Sequence, residues 1–89
     1  MGIVTDNERF RILLRNYPVQ ALELVYKLYY KSLLQIAWNL TRDSDAAKDI
    51  VQDAFMVLWA DRKKLSKFNE KSIENYLVRI VRNKAVTFF

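Results

Sequence analysis

Three segments of the chain repeat apolar residues every three or four positions, which is the spacing of one face of an α-helix. The longest runs from about Val19 to Leu40, the next spans residues 44–64, and the last follows Ser72, which we expect to cap it. A shorter segment over residues 6–16 ends before Pro18, because the residue that precedes a proline disfavours helix. The pattern predicts a compact all-α bundle of three main helices and a short N-terminal one.

The same spacing assigns each main helix an inward face. In the first of the three, the predicted stripe is Leu22, Tyr26, Tyr29, Leu33, Ile36 and Leu40. In the next, which Asp43 or Ser44 is expected to cap, it is Ala47, Ile50, Val51, Ala54, Phe55, Val57 and Leu58. In the last, it is Ile73, Tyr76, Leu77, Ile80 and Val81. We interpret these stripes as hydrophobic core rather than as a cofactor pocket.

Polar side chains gather on the opposite face of the segment 44–64. Asp49, Gln52 and Asp53 are spaced i, i+3 and i+4, so they share one helix face, and Met56 falls on the same side. An acidic and amide cluster is unexpected on a chain with a net charge of +5. Ordinary solvation can explain it, and so can a dedicated partner.

Charge is distributed unevenly along the chain. Residues 1–41 carry a net +2, residues 42–61 a net −3 and residues 62–89 a net +6. An acidic middle and a basic end favour two different partners, or two parts of one assembly. A soluble surface of mixed sign is the simpler alternative.

The basic end of the chain has the composition of a nucleic-acid surface. The outer face of the last helix carries Arg79, Arg82, Asn83 and Lys84, which combine charge for phosphates with an amide that can contact bases. A basic helix face that is merely solvated is the alternative.

The connector before that helix places an aromatic and an amide among lysines, in the order Lys67, Phe68, Asn69 and Lys71. An unstacked base in single-stranded nucleic acid needs stacking, hydrogen bonds and nearby positive charge. The connector therefore favours single-strand binding.

The composition excludes several classes of function. The chain has no cysteine and no histidine, so it lacks disulfides, thiolate ligands and the commonest general base. We therefore expect no enzyme activity, no metal and no cofactor. The N-terminal residues contain no apolar run long enough for a signal peptide or a membrane span, and we expect a cytoplasmic protein.

Two motifs resemble a known family. The run "DIVQDAFMVLW" is followed about 15 residues later by "IENYLVRIVRNKAV", and "YKLYYKSLLQIAWNLTRDSDAAKD" lies upstream. This order resembles region 2 of bacterial sigma-70-type factors, most closely the small extracytoplasmic-function group, from about Val19 to the C-terminus.

The resemblance implies a domain that binds RNA polymerase and promoter DNA. In that family the acidic helix docks on the clamp helices of the polymerase β′ subunit, a role that falls here on Asp49, Gln52, Asp53 and Met56. The loop and helix that follow recognise and open the promoter −10 element. Base capture falls on the connector, with Asn69 the best-suited residue, and backbone contact falls on the basic helix. The residues assigned to DNA are Lys67, Phe68, Asn69, Lys71, Arg79, Arg82, Asn83 and Lys84.

Departures from the family pattern leave alternatives open. Many members have Asp or Asn where this chain has Thr87. They also continue into a second domain that reads the −35 element, so we expect this chain to be a piece of a longer protein. The runner-up function is a helical interaction module that binds only protein, such as an inactive sigma-like domain that a regulatory partner, for example an anti-sigma factor, sequesters. A membrane-surface protein fits poorly, because the basic faces carry asparagine and lack an opposing face for lipid.

Overall fold

Helices make up nearly all of the computed structural model, which describes residues 12–65 and 70–88. The helical residues 12–16 form α1, and the longer elements are α2 (Pro18–Thr41), α3 (Ser44–Ala60) and α5 (Glu70–Val86). A single turn, α4 (Arg62–Leu65), follows α3. The described part of the chain contains no strand. The prediction of an all-α domain with three main helices and a short N-terminal one is confirmed.

Helix α2 begins and ends where the sequence provides a physical reason. Pro18 occupies its first turn, where a missing N–H removes no helical hydrogen bond. At the other end, Arg42 adopts a left-handed conformation (φ 56°), and its N–H bonds to the Trp38 carbonyl oxygen at 2.7 Å. The buried Thr41 hydroxyl donates to the Ala37 carbonyl oxygen at 2.8 Å and accepts from the Asp43 N–H at 3.3 Å. These bonds fix the turn between α2 and α3.

Asp43 caps α3, which confirms the first of the two residues, Asp43 or Ser44, that the sequence predicts for this role. Its carboxylate accepts a 3.0 Å hydrogen bond from the Ala46 N–H, and its backbone is extended. The predicted end at residue 64 is wrong, because α3 stops at Ala60 and Asp61 interrupts it. Arg62 then turns back: its guanidinium stacks over Trp59, 4.1 Å from the ring centre, and donates to the Trp59 carbonyl oxygen.

The predicted start of the last helix is also wrong. Ser72 was expected to be its cap, but α5 begins at Glu70 and Ser72 lies within the first turn. The inward face is as expected, with Ile73, Leu77 and Val81 fully buried. Tyr76 is half-buried and packs against the core, as does Ile80.

The core lies where α2, α3 and α5 meet, and small side chains are placed at its centre. Ala21 and Ala37 of α2, Ala47 and Ala54 of α3, and Ala85 of α5 are all 0% exposed. An alanine at a helix contact lets the backbones approach closely, because only a methyl group separates them. Larger side chains fill the space around these contacts, including Leu33, Val25, Val51, Phe55 and Leu58.

The predicted stripe of α2 is only partly correct. Leu33 is buried, and Leu22, Tyr29 and Ile36 are half-buried against the core. The helix instead turns Ala21, Val25, Ala37 and Thr41 inward, while Tyr26 (36% exposed) and Leu40 (37%) lie at the surface. The stripe is displaced because α2 is apolar on several sides, and the choice between neighbouring faces is made by close packing rather than by hydrophobicity.

Candidate functional site

The acidic and amide cluster of α3 lies on the surface, as the sequence predicted. Asp49, Gln52 and Asp53 are exposed, and Met56 exposes 68% of its side chain. We call these four residues the acidic patch. The opposite face of α3, which includes Ile50, Val51, Ala54 and Leu58, is buried and holds the patch outward. The patch residues therefore contribute nothing to the core.

An apolar groove, which the sequence reading missed, lies beside the acidic patch. It has a volume of about 390 Å³ between α2 and α3 and is lined by Val19, Leu22, Tyr26, Gln52, Phe55, Met56 and Trp59. Two of its lining residues, Gln52 and Met56, also belong to the patch. The groove was missed because Leu22 and Tyr26 were assigned to the core. The i, i+3, i+7 spacing of Val19, Leu22 and Tyr26 was the signal that could have revealed it.

Aromatic contacts fix one wall of this groove. The rings of Tyr26 and Tyr30 stack with their centres 4.7 Å apart and an interplanar angle of 23°. Tyr26 also meets Phe55 across the helix contact, with ring centres 5.0 Å apart and an angle of 50°. Such pairs contribute roughly 0.5–1.5 kcal/mol beyond their buried area. The Tyr26 ring is thus packed within the contact between α2 and α3, while 36% of its surface remains exposed in the groove.

The second predicted surface is the outer face of α5. Arg79, Arg82 and Asn83 are exposed and follow one another at i, i+3 and i+4, so the structure brings them together on one face. Lys84 is half-buried and lies to one side of them. We call the three exposed residues the basic face. It offers two guanidinium groups and one amide to a partner.

The predicted connector residues fall outside what the structure describes. Lys67, Phe68 and Asn69 belong to the undescribed stretch 66–69. Lys71 is a helical residue of α5, but its side chain is not described. The assignment of base capture to these residues therefore stays a prediction from the sequence.

A hydrogen bond that sequence reasoning did not predict joins the end of α3 to α5. The Tyr76 hydroxyl donates to Asp61 Oδ2 at 2.6 Å. Burial, together with this bond to Asp61, raises the pKa of Tyr76 to about 12. A carboxylate at the C-terminal end of a helix opposes the helix dipole, so Asp61 was a hint that a specific partner exists. The bond fixes the C-terminal end of α3 against α5.

The described residues contain neither a metal-ligand cluster nor a membrane-spanning helix. These residues do not bring together three or more His, Cys, Asp or Glu side chains in an arrangement that could hold a metal ion. Within the same part of the chain, no helix combines the length and apolar character needed to cross a membrane.

Comparison with known families adds one match. The family model described as sigma-70 region 2 matches residues 25–89, which include the acidic patch, Asp61, Tyr76 and the basic face. No curated protein matches the chain. No solved structure matches it either.

Proposed function

The chain belongs to the sigma-70 region 2 family, which implies a sigma-factor role in RNA polymerase binding and promoter recognition, and we propose that it divides these tasks between α3 and α5. The acidic patch docks on the clamp helices of the polymerase β′ subunit. The connector and the basic face recognise the promoter −10 element and help to open it. Sigma factors are not enzymes, and we propose that this one acts in the cytoplasm as a member of the extracytoplasmic-function group.

The observation that carries the polymerase assignment is the acidic patch beside an open apolar groove. Met56 is 68% exposed and lines one groove with Val19 (53% exposed) and Tyr26 (36%), and such a continuous exposed apolar surface marks an interaction site. Methionine and aromatic residues are enriched at protein interfaces. If Asp49 and Asp53 were only solvated, the exposed apolar residues beside them would have no explanation. The surface therefore suits a partner that presents basic side chains to Asp49 and Asp53 and an apolar side chain to the groove.

The DNA assignment rests on charge and on position in the chain. Residues 62–89 carry a net +6, and Arg79 and Arg82 are exposed on the same face as Asn83. Guanidinium groups neutralise phosphates, and an amide can form hydrogen bonds with bases or backbone. The acidic patch belongs to a different helix, so polymerase and DNA need not compete for the same residues.

Removal of two carboxylates tests the polymerase contact. An Asp49→Ala, Asp53→Ala double variant should bind core polymerase at least about 30-fold more weakly, because truncating a desolvated charge pair costs about 2–5 kcal/mol. Binding of single-stranded promoter DNA by the same protein should hold or rise slightly, since two negative charges are gone. The matched control is Glu74→Gln, which removes one carboxylate from α5 and should leave polymerase affinity unchanged.

The pair of measurements separates the possible outcomes. Loss of polymerase binding with retained DNA binding supports the proposal. Equal loss of both activities would show that the double variant is misfolded, which its circular dichroism spectrum would reveal. If neither activity changes, the acidic patch is only solvated and the docking assignment is wrong.

Base recognition is tested on the connector. If four cations, for example Lys67, Arg79, Arg82 and Lys84, neutralise phosphates, log K against log salt should have a slope of roughly −3 for single-stranded −10 DNA. Asn69→Ala should reduce the preference among bases more than the overall affinity. If the Asn69→Ala variant keeps the wild-type base preference at every position of the −10 strand, another residue recognises the bases.

The alternative function is a sigma-like module that binds only a regulatory protein, such as an anti-sigma factor. The acidic patch and the groove would suit such a partner as well, so polymerase binding alone does not separate the two functions. DNA binding does. A folded wild-type protein that does not distinguish −10 single strands from scrambled ones would favour the alternative.

A further inference from the structure

The exposed side of α2 carries a second basic surface that neither polymerase docking nor −10 recognition uses. Between Lys27 and Arg42 the sequence has three cations and no Asp or Glu. Six exposed polar and aromatic residues of this stretch follow one line along the outer side of the helix and its C-terminal cap. They are Lys27, Lys31, Gln35, Trp38, Asn39 and Arg42, which we call the cationic stripe.

An exposed tryptophan distinguishes the cationic stripe from a solvated helix face. Trp38 is 39% exposed, and the Arg42 guanidinium lies 4.6 Å from its ring centre. On the same side of the helix the Gln35 side-chain amide donates to Asn39 Oδ1 at 2.9 Å, which orders the two amides. Solvation alone explains lysines and amides, but it gives no reason to hold a large aromatic ring at the surface between cations.

The stripe also borders a depression of a size that could accept a small ring. About 330 Å³ of open space lies between α2 and the start of α3, within the range of about 300–1,000 Å³ that is typical of ligand sites. It is lined by Lys31, Leu34, Gln35, Trp38, Ser44 and Ala47. This lining combines an indole ring, an ammonium group, an amide and a hydroxyl, and it includes no carboxylate.

The nearest carboxylates in the sequence are at the N-terminal end of α3. Asp43 is engaged as its cap through the Ala46 N–H, and Asp45 is exposed in the first turn, where the helix dipole favours a negative charge. Lys48 follows Ser44 by one turn on the same helix and is exposed. Lys31, Arg42 and Lys48 thus place three positive charges around the depression against the two negative charges of Asp43 and Asp45.

From this combination we propose that the cationic stripe is a second nucleic-acid site, which binds a short single-stranded segment. A base stacks on Trp38 within the depression, Gln35 and Ser44 offer it hydrogen bonds, and Lys27, Lys31 and Arg42 meet the phosphates. Stacking combined with cations, without a code of base-edge contacts, gives binding that is tolerant of sequence. This site lies on a different helix from the −10 assignment and does not depend on it.

The test first removes the basic face to reduce competing binding, and substitutions within the stripe then separate it from the connector. An Arg79→Ala, Arg82→Ala double variant is titrated at low salt with labelled oligo(dT) and with oligo(U), and anisotropy reports binding. We expect residual binding that quenches tryptophan fluorescence, with a salt slope of about −2 for three cations. Equal affinity for the two oligonucleotides indicates that the site binds through base stacking and phosphate contacts alone. A preference for one of them identifies the ligand as DNA or as RNA.

Substitutions within the stripe then identify the residues. In the same background, Trp38→Ala should weaken binding about 5- to 150-fold, the equivalent of about 1–3 kcal/mol for one stacked base. Trp38→Phe should keep most of the affinity and lose the quenching. Lys31→Ala should reduce the salt slope by about 0.7, whereas Arg15→Ala, an exposed cation outside the stripe, should leave the slope unchanged.

Three results would overturn the proposal: no residual binding after removal of the basic face, affinity of Trp38→Ala within twofold of its parent, or equal effects of Lys31→Ala and Arg15→Ala. If Trp38→Ala unfolds in a thermal melt, the comparison of Lys31 with Arg15 decides. The first of these results would refute the second site but would still be consistent with −10 binding by the basic face in the wild-type protein. Failure of that function appears separately, as unchanged −10 affinity in the Arg79→Ala, Arg82→Ala variant.

Discussion

Replacement of Tyr76 by phenylalanine removes one hydroxyl that joins two helices and leaves the packed ring in place. The hydroxyl donates to Asp61 Oδ2 at 2.6 Å. A hydrogen bond to a charged group contributes about 1.5–3 kcal/mol. Asp61 is only half-buried, so water can replace part of the lost bond, and we expect a loss of about 1–2 kcal/mol in the free energy of unfolding. In a domain of this size that corresponds to a fall of about 4–16 °C in melting temperature.

Thermal and urea unfolding followed by circular dichroism measure this loss. The matched control is Tyr17→Phe, because Tyr17 is 55% exposed and its variant should stay within about 0.5 kcal/mol of wild type. A double-mutant cycle with Asp61→Ala should give a coupling energy of about 1–2 kcal/mol. If Tyr76→Phe behaves like Tyr17→Phe, or if the two changes are additive, the bond contributes nothing and the reasoning is refuted.

The pH dependence of the same variant provides an independent check. The pKa of Tyr76 is raised from 10.0 to about 12 by burial and by its bond to Asp61, so folding favours the neutral phenol. Its contribution is complete below about pH 10, the pKa in the unfolded chain, and is lost as the pH rises through the folded pKa of about 12. The stability gap between wild type and Tyr76→Phe should thus be constant from about pH 7 to 9 and close above pH 10. A gap that already closes between pH 7 and 9 would contradict this assignment.

The remaining predictions concern packing and the turn between α2 and α3. Leu33→Ala should cost about 2–5 kcal/mol in urea unfolding because Leu33 is 1% exposed, whereas Leu28→Ala, at a residue 49% exposed, should cost under about 0.5. Asp43→Ala should lower stability by about 0.5–2 kcal/mol, and Asp43→Asn, which can still cap, should recover most of it. Thr41→Val should lose about 1 kcal/mol or more in the same assay, because the variant leaves the Asp43 N–H without its hydroxyl acceptor; equal stability would show that water replaces the bond.

The faces of α3 and α5 could be predicted because polar and apolar positions are clearly separated on them. Asp49 and Asp53 are incompatible with a core, so the position of Ile50 and Ala54 on the opposite face follows directly. In α5, Arg79 and Arg82 constrain the helix in the same way. The N-terminal part of α2, residues 18–26, carries only two polar residues and so has fewer constraints, and there the pattern places Tyr26 inside although the core contains Val25.

The parts that could not be predicted depend on contacts between residues far apart in the sequence. The end of α3 at Ala60 and the bond between Asp61 and Tyr76 involve residues brought together by packing, and a local pattern carries no record of them. The apolar groove was missed for a related reason: it forms between two helices, and each helix alone presents only part of it. The cap at Asp43 was predictable because it is formed within a few residues.

The alanines enclosed between the helices make the domain unequal in its tolerance of mutation. At Leu33 the destabilising substitutions are those that make the side chain smaller. Ala37 and Ala54 are both 0% exposed, and there nearly every substitution makes the side chain larger. An added side chain at such a contact must push two backbones apart and costs about 1–3 kcal/mol, while glycine costs about 1. Library selection for a more stable version should therefore return these positions almost unaltered. The distance between α2 and its neighbours could instead be changed through flanking residues such as Leu22 and Ile36, which are only half-buried.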